Sequence, residues 1–254
     1  MVGWKYQLPF PYRNNQLKHE KMRIIQLLFL TSFLLLATGA AGQQANIIPL
    51  PSSAQLNDTA CRFHALKYIV TDRDGISSDA ASLLQAKMQE MGISTTMRQK
   101  DSKGCILFQM VTAAQEAYTM EVKKNHVTIS ASTREGFLNG MQSLLQEMRS
   151  GMVPCGLIQD APRFGWRGFM LDEARHFVGE EKVKQLLDIL ASYKINRFHW
   201  HLTDAQGWRI EIKAYPRLTE VGAIGNHTDA NAPAAYYTQQ QIRDMPMPPN
   251  AASR

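Results

Sequence analysis

The chain has 254 residues, enough for one large domain or two smaller ones. Apolar residues make up 44% of the sequence and charged residues 20%. This balance is typical of folded proteins and excludes a disordered tail, a collagen-like fibre and a disulfide-rich miniprotein. The formal net charge is +6, but residues 1–42 hold five of the 28 basic residues and one of the 22 acidic ones. The rest of the chain therefore has 23 basic and 21 acidic residues, a net charge of only +2. The remaining chain therefore has no electrostatic case for binding nucleic acid.

Residues 1–42 have the pattern of a secretory signal peptide. Lys21 and Arg23 precede an almost uncharged, leucine-rich run over residues 24–37, and small residues follow up to Gly42. The apolar run is too short, and too polar at its end, to predict a membrane span. We therefore expect an exported protein, periplasmic or extracellular, with no stable membrane span after cleavage.

The expected cleavage near Gly42 leaves Gln43 close to the mature N-terminus. Met22 is an alternative start of translation, which makes residues 1–21 a misread upstream extension. The predicted mature chain therefore begins near residue 43.

Residues 43–161 are predicted to form one domain with mixed strands and helices. Apolar and polar residues alternate on both sides of a short interruption in residues 118–131, which predicts an antiparallel hairpin. Two amphipathic helices are expected, the first capped by Ser78 and stopped by Gly92, the second capped by Thr133. The pattern favours an α+β layer and contains no recognisable catalytic cluster.

Three cysteines, Cys61, Cys105 and Cys155, occur in the chain. Export permits disulfides, but three cysteines allow at most one bridge and leave one thiol over. No two of them form a CxxC pair, so the sequence indicates neither a zinc site nor a redox motif. Small buried residues are the favoured interpretation of all three.

Residues 162–254 have a different pattern of predicted elements from the preceding domain. A short apolar strand candidate ends at Asp172, an amphipathic helix follows over residues 180–193, and a second strand candidate spans residues 195–202. Strand, helix and strand in this order predict a βαβ unit with a parallel sheet, as at the start of a (β/α)8 TIM barrel. In such barrels the chemistry gathers at the carboxyl ends of the strands, where Arg175 and Asp204 follow.

The adjacent carboxylates Asp172 and Glu173 are a tempting acid–base pair, but neighbours on a strand point to opposite faces and cannot easily flank one bond. Arg175 is the stronger candidate, because a guanidinium fork donates two parallel hydrogen bonds to neighbouring oxygens such as those of a vicinal diol. The alternative for Arg175 is a salt bridge to one of the two preceding carboxylates. Asp204, followed by a tight turn and Trp208, matches a sugar-binding arrangement.

His199 and His201 point to the same face of the second strand. His-x-His at the end of a barrel strand is a metal-ligand pattern, which keeps a metal-dependent barrel hydrolase as an alternative. No further histidine cluster follows in the sequence, so packed, hydrogen-bonded strand histidines are the favoured interpretation.

Two long motifs resemble family 20 glycoside hydrolases, the β-N-acetylhexosaminidases. Residues 167–177 (RGFMLDEARHF) resemble the signature of the first barrel strand of that family. Residues 196–204 (NRFHWHLTD), continued by 206–213 (QGWRIEIK) and 215–223 (YPRLTEVGA), resemble the second. Residues 46–161 are similar to the N-terminal α+β domain of the family in order and length.

The resemblance implies an exo-acting enzyme that removes terminal β-linked N-acetylglucosamine or N-acetylgalactosamine with retention of configuration. The 2-acetamido oxygen of the substrate itself is the nucleophile, which makes the family an exception to the two-carboxylate scheme. By motif position, Arg175 matches the arginine that grips hydroxyls of the terminal sugar, and Asp204 matches the active-site aspartate ending the second strand. The implied reaction needs no metal and no organic cofactor.

Two features depart from the family pattern. Ala205 replaces a second aspartate that many relatives have after the position of Asp204. A complete barrel needs roughly 250 residues, whereas residues 162–254 suffice for about two strands. The family's catalytic Asp-Glu pair, which lies on a later strand, has no counterpart in the sequence. We therefore expect a truncated, catalytically inactive fragment, with a secreted non-catalytic glycan-binding or vestigial protein as the alternative.

Overall fold

The computed structural model describes residues 45–101, 103–148 and 152–245. The predicted leader lies outside the described residues. None of the helices in the described ranges has the length and apolar character that crossing a bilayer requires.

A seven-stranded mixed sheet forms the first part of the fold. Its strands are β1 (Ser53–Cys61), β2 (Tyr68–Val70), β3 (Thr96–Arg98), β4 (Cys105–Met110), β5 (Tyr118–Lys123), β6 (His126–Ala131) and β7 (Val153–Asp160). The order across the sheet is β1-β7-β5-β6-β4-β2-β3. Neighbouring strands from β1 to β6 in this order are antiparallel to one another, whereas β6, β4, β2 and β3 are mutually parallel. The predicted hairpin is confirmed as β5 and β6.

Two helices, α1 (Ser78–Glu90) and α2 (Arg134–Met148), pack on the sheet and bury its core. A short 3-10 turn, Phe63–Ala65, joins β1 to β2. The burial alternates along the strands: Tyr118, Met120 and Val122 of β5 are buried, while the residues between them are half-exposed. This period of two is what the pleat of a strand with one covered face requires.

The ends of these helices differ in part from the sequence prediction. Thr133 caps α2 as predicted, since its hydroxyl accepts from the Gly136 amide at 3.1 Å. The N-cap of α1 is Ser77, not Ser78. The Ser77 hydroxyl accepts from the Asp72 amide at 3.1 Å, and the Ser77 amide donates to the Asp72 carboxylate at 2.6 Å. This reciprocal pair fixes the turn before the helix, a contact that the spacing in the sequence does not reveal.

The second part of the fold begins with the predicted βαβ unit, which is confirmed. It consists of β8 (Gly168–Asp172), α3 (Glu180–Ser192) and β9 (Arg197–His201). Strands β8 and β9 are parallel, with Asp172 opposite His201. The elements that follow are β10 (Thr203–Asp204), β11 (Gly207–Trp208), α4 (Arg217–Glu220) and α5 (Gln239–Asp244). A small core joins Val183 and Leu187 of α3 to Tyr237, with Phe198 and Trp200 packed against it.

Buried polar side chains connect the two parts. Arg167 forms an ion pair with Glu116, and the Asn196 amide donates to the same carboxylate at 3.2 Å. Lys194 lies 2.9 Å from Asp160 at the end of β7. These contacts fix the start of β8 and the turn before β9 on the seven-stranded sheet.

Candidate active site

Arg175 lies between two carboxylates at the carboxyl ends of the two parallel strands. Its guanidinium forms an ion pair with Asp172, the last residue of β8, and its backbone amide donates to the other oxygen of that carboxylate at 3.1 Å. Its Nη2 lies 3.3 Å from Oδ2 of Asp204. The structure thus brings together the two predicted site residues, Arg175 and Asp204. The salt bridge to Asp172, considered as an alternative role for Arg175, is also present.

Asp204 is held by a two-residue hairpin. Strands β10 and β11 pair so that Asp204 lies opposite Gly207. The Ala205 amide donates to Oδ1 of Asp204 at 2.7 Å, and Nε2 of His201 lies 3.0 Å from Oδ2. The carboxylate is therefore oriented from both sides, while about a third of its side chain stays exposed to solvent.

The charges of this cluster stabilise one another. Burial acts to raise the pKa of Asp172, but the hydrogen bonds and charge of Arg175 outweigh it and lower that pKa. The Ala205 amide, then His201, lower the pKa of Asp204. The hydrogen bond to Asp172 raises the pKa of Arg175. Both carboxylates are thus ionised beside a cation at neutral pH.

Glu173 has a structural environment that the sequence did not reveal. Its side chain is fully buried. One carboxylate oxygen accepts from the Val178 amide at 2.8 Å, and the other accepts from the Tyr237 hydroxyl at 2.7 Å. Glu173 therefore ties the loop after β8 to the segment before α5, and neither oxygen is left to face a substrate.

Arg209 holds in place the loops around this cluster. It is fully buried, and its guanidinium donates only to backbone carbonyls among the described contacts. The acceptors, at 2.6–3.2 Å, are the carbonyls of Glu173, Ala174, Ala223, Gly225 and Ala235. Burial lowers the pKa of Arg209, and the nearby charge of Glu173 opposes this. One side chain thus fixes three loops around the site, including the loop that carries Arg175.

The structure also places Trp208, predicted from the sequence as part of a sugar-binding arrangement, and the two strand histidines. The Trp208 indole is half-buried and donates to the Ile210 carbonyl at 2.7 Å, so it stabilises the turn after β11. The rings of His199 and His201 are 5.7 Å apart on one face of β9, as predicted. Among the described residues no third histidine, cysteine or carboxylate joins these two histidines to make a group that could hold a metal ion.

The face of β8 and β9 away from α3 is open. An open cavity of about 770 Å³ on this face is bounded by Trp166, Gly168, Met170 and His199. Trp166 is 73% exposed and Met170 is 53% exposed.

Comparison with known proteins agrees with this arrangement. The model of "Glycosyl hydrolase family 20, domain 2" matches residues 44–161, and that of "Glycosyl hydrolase family 20, catalytic domain" matches residues 164–247. A beta-hexosaminidase of Porphyromonas gingivalis is 38% identical over 217 residues, which are 79% of this chain and 28% of that protein. A beta-hexosaminidase of Vibrio furnissii is 43% identical over 53% of this chain and 24% of its own length.

Solved structures give the same result. A family 20 exo beta-N-acetylglucosaminidase from Vibrio harveyi, solved with N-acetylglucosamine, has a TM-score of 0.71 and 33% identity. The match covers 80% of this chain and 34% of that one. A Streptomyces plicatus N-acetyl-beta-hexosaminidase gives 0.69 at 29% identity, over 79% of this chain and 42% of its own. The fold corresponds to an N-terminal domain plus part of a catalytic domain, and the chain spans about a quarter of the length of the first two relatives.

The two family models describe successive domains of one kind of enzyme, and between them they match most of the described chain in the order that the fold shows. The matched catalytic segment contains the cluster built around Arg175. From these matches and this geometry, the chain belongs to glycosyl hydrolase family 20.

Proposed function

We propose that this chain supplies the terminal-sugar-binding part of an exo-acting β-N-acetylhexosaminidase. The substrates are glycans that end in β-linked N-acetylglucosamine or N-acetylgalactosamine. The observation that carries the proposal is the position of Arg175, fixed between Asp172 and Asp204 at the ends of two parallel strands, with 44% of its side chain exposed. The V. harveyi relative, solved with N-acetylglucosamine, supports this class of ligand.

The geometry suits the hydroxyls of a pyranose ring. The planar guanidinium of Arg175 presents parallel N–H donors to two neighbouring hydroxyl oxygens. The Asp204 carboxylate is an acceptor for a hydroxyl proton. Both groups are held by neighbours before the sugar arrives, which reduces the conformational entropy lost on binding.

The reaction proposed for the complete active site is substrate-assisted hydrolysis with retention. The acetamido oxygen of the sugar attacks the anomeric carbon, a general acid protonates the leaving oxygen, and water then opens the cyclic intermediate. Asp172-Glu173, the only adjacent Asp-Glu pair in the sequence, does not suit the acid role. Asp172 is paired with Arg175, and Glu173 is buried with both oxygens engaged. We therefore propose that these 254 residues alone bind sugar without hydrolysing it.

The test measures binding and turnover on the same protein. We expect saturation-transfer NMR to detect N-acetylglucosamine on the 254-residue chain, and no turnover of an aryl β-N-acetylglucosaminide. Arg175→Ala is expected to abolish detectable binding, because two charge-assisted hydrogen bonds are worth roughly 30- to 800-fold in affinity. Arg175→Lys keeps the positive charge but loses the fork and is expected to bind weakly.

Arg73→Ala is the matched control, since Arg73 is an exposed arginine in the loop before α1. Circular dichroism checks that each variant is folded. Equal binding by the wild-type chain and Arg175→Ala contradicts the proposed role of Arg175. Turnover that copurifies with the wild-type chain contradicts the proposed lack of hydrolysis.

We also propose that the protein is exported, on the evidence of the basic, apolar and small-residue segments of residues 1–42. Mass spectrometry of the protein expressed with its leader in a bacterial host is expected to find Gln43, or a residue within a few positions of it, at the N-terminus. A mature protein that retains Lys21 contradicts this proposal.

A further inference from the structure

A cluster of three potential metal ligands lies at one end of the seven-stranded sheet. Cys105 and His126 are the first residues of β4 and β6, and they are directly opposite each other in the parallel register. Asp101 precedes β4 in the loop. The Cys105 thiol is 3.0 Å from Oδ1 of Asp101 and 3.5 Å from Nδ1 of His126, and the last two atoms are 3.6 Å apart. Within the described residues this is the one group of three such side chains close enough to share an ion.

The backbone brings these residues together on the face of the sheet opposite the helices. Ile106 and Val127, the next residues of the two strands, are part of the core beneath α1 and α2, so Cys105 and His126 point the other way. The loop turns sharply at Gly104, whose φ of 77° favours glycine and whose amide donates to the Asn125 carbonyl at 2.9 Å. This turn carries Asp101 back over the start of β4.

The separations are within about 0.5 Å of those around a tetrahedral zinc ion. Zinc bonds of about 2.3 Å to sulfur, about 2.05 Å to imidazole nitrogen and about 2.0 Å to carboxylate oxygen place the three ligand atoms roughly 3.3–3.6 Å apart. The observed S···N separation of 3.5 Å equals the tetrahedral value. The N···O separation of 3.6 Å is about 0.3 Å longer, and the S···O separation of 3.0 Å is about 0.5 Å shorter, than the values that these bond lengths give. We propose that Asp101, Cys105 and His126 bind a zinc ion.

The chemistry of the three groups also suits zinc. Thiolate, imidazole and carboxylate are all common zinc ligands, and three protein ligands leave the fourth position to water. Cys105 is fully buried, whereas the side chain of Asp101 is 58% exposed, which gives the ion a path from solvent. On binding, the Cys105 thiol releases its proton to solvent and the resulting thiolate bonds to Zn²⁺, while His126 binds through its neutral Nδ1.

This site could not be recognised from the spacing of its residues in the sequence. Zinc motifs are recognised by paired cysteines or histidines at short spacing, and here the two soft ligands are 21 residues apart. Only the parallel pairing of β4 with β6 brings them together. The proposed site does not conflict with the metal-free sugar hydrolysis that the family resemblance implies. The cluster lies in the seven-stranded sheet, whereas Arg175 and Asp204 lie at the ends of β8 and β9.

The experiment adds metal alone to the untagged 254-residue chain after treatment with a chelator. We expect one equivalent of zinc per chain after dialysis, measured by elemental analysis. Substituting Co²⁺ is expected to produce a thiolate-to-cobalt charge-transfer band in the near ultraviolet and visible bands of a tetrahedral site. Unfolding in the presence of excess zinc is expected at a higher temperature than in its absence, because the ion binds only the folded chain.

Three variants separate a bound ion from a chance contact. Cys105→Ser is expected to lose the charge-transfer band and the retained zinc. Asp101→Asn changes an exposed residue, so the fold is kept. Its zinc affinity is expected to fall by at least ~10- to 100-fold, the loss that is usual when a residue that only supports a metal ligand is changed. Cys155→Ser, a buried cysteine outside the cluster, is the matched control and is expected to keep both signals. Absence of the cobalt band from the wild-type chain, or zinc retention by Asp101→Asn equal to that of the wild type, overturns the proposal.

Discussion

At the scale of single residues, the site depends on side chains that never face the sugar. Arg175 is oriented by Asp172, whereas the loop that carries Arg175 is anchored by Glu173, two residues earlier. Glu173 is the main anchor: its fully buried carboxylate is satisfied by the Tyr237 hydroxyl and the Val178 amide. A buried carboxylate oxygen that loses its donor costs more than the hydrogen bond itself contributes.

We predict that Tyr237→Phe destabilises the second part of the fold by about 1–3 kcal/mol, because Oε1 of Glu173 loses its donor in a buried position. Urea unfolding followed by tryptophan fluorescence measures this, since three of the four tryptophans lie in residues 166–208. Tyr236→Phe is the control, because Tyr236 is its exposed neighbour. Equal stabilities of the two variants contradict the anchoring role of Glu173.

The same pair predicts an alkaline loss of stability. Burial, and then the hydrogen bond to Glu173, raise the pKa of Tyr237 above its ordinary value. The folded chain therefore holds this proton more tightly than the unfolded chain, so the stabilisation is complete below about pH 10 and is lost as the pH rises above it. We expect the free energy of unfolding to fall between about pH 10 and 11, less steeply in Tyr237→Phe than in the wild type. Parallel pH profiles for the two proteins contradict the shift.

At the scale of elements, the turn between β10 and β11 determines where Asp204 lies. Gly207 faces the buried Arg209 guanidinium so closely that a Cβ at this position overlaps it. The five carbonyls around that guanidinium belong to the loop after β8 and to the loops on both sides of Gly225. A glycine, a short hairpin and one arginine thus act as a unit that places Asp204 beside Arg175.

We predict that Gly207→Ala destabilises the fold by about 1–3 kcal/mol, the usual cost of overpacking a filled core. It is also expected to weaken N-acetylglucosamine binding, because displacing Arg209 moves the loop of Arg175. Gly165→Ala is the matched control, since no heavy atom lies within 4 Å of a Cβ built there. Thermal unfolding and NMR binding check both effects. A Gly207→Ala protein that equals Gly165→Ala in both measurements contradicts this account.

The sequence predicted these elements unevenly, for physical reasons. The hairpin β5–β6 and the unit β8–α3–β9 follow from the periodicity of apolar residues, a local signal. Arg175 and Asp204 were found because the carboxyl ends of parallel strands share one edge. The partnership of Glu173 with Tyr237 spans 64 residues, and that of Arg209 with Glu173 spans 36, so no short spacing could indicate them.

At the scale of the whole molecule, the seven-stranded sheet and the βαβ unit are joined by buried ions rather than by apolar packing alone. Arg167 precedes β8 and donates to the Lys194 carbonyl at 2.8 Å as well as pairing with Glu116. Glu116 has a φ of 62°, which is uncommon outside glycine and is held in place by this ion pair and by Asn196. The sheet of the first part therefore fixes the origin of both strands that carry the site.

We predict that Glu116→Gln costs about 3 kcal/mol of stability, because the Arg167 side chain, only 15% exposed, keeps its charge and loses its partner. The lost ion pair joins the seven-stranded sheet to the βαβ unit, so the variant's two parts are expected to unfold separately. Calorimetry is therefore expected to show one unfolding transition in the wild-type chain and two in the variant. Limited proteolysis of the variant is expected to cut near Arg163 and to release a fragment that contains the seven-stranded sheet. Glu121→Gln is the control and is expected to keep a single transition, because Glu121 is a half-exposed glutamate of β5 whose ion pair, with Lys123, lies within the sheet. A single transition in Glu116→Gln at an unchanged temperature would show that contacts other than this ion pair hold the two parts together.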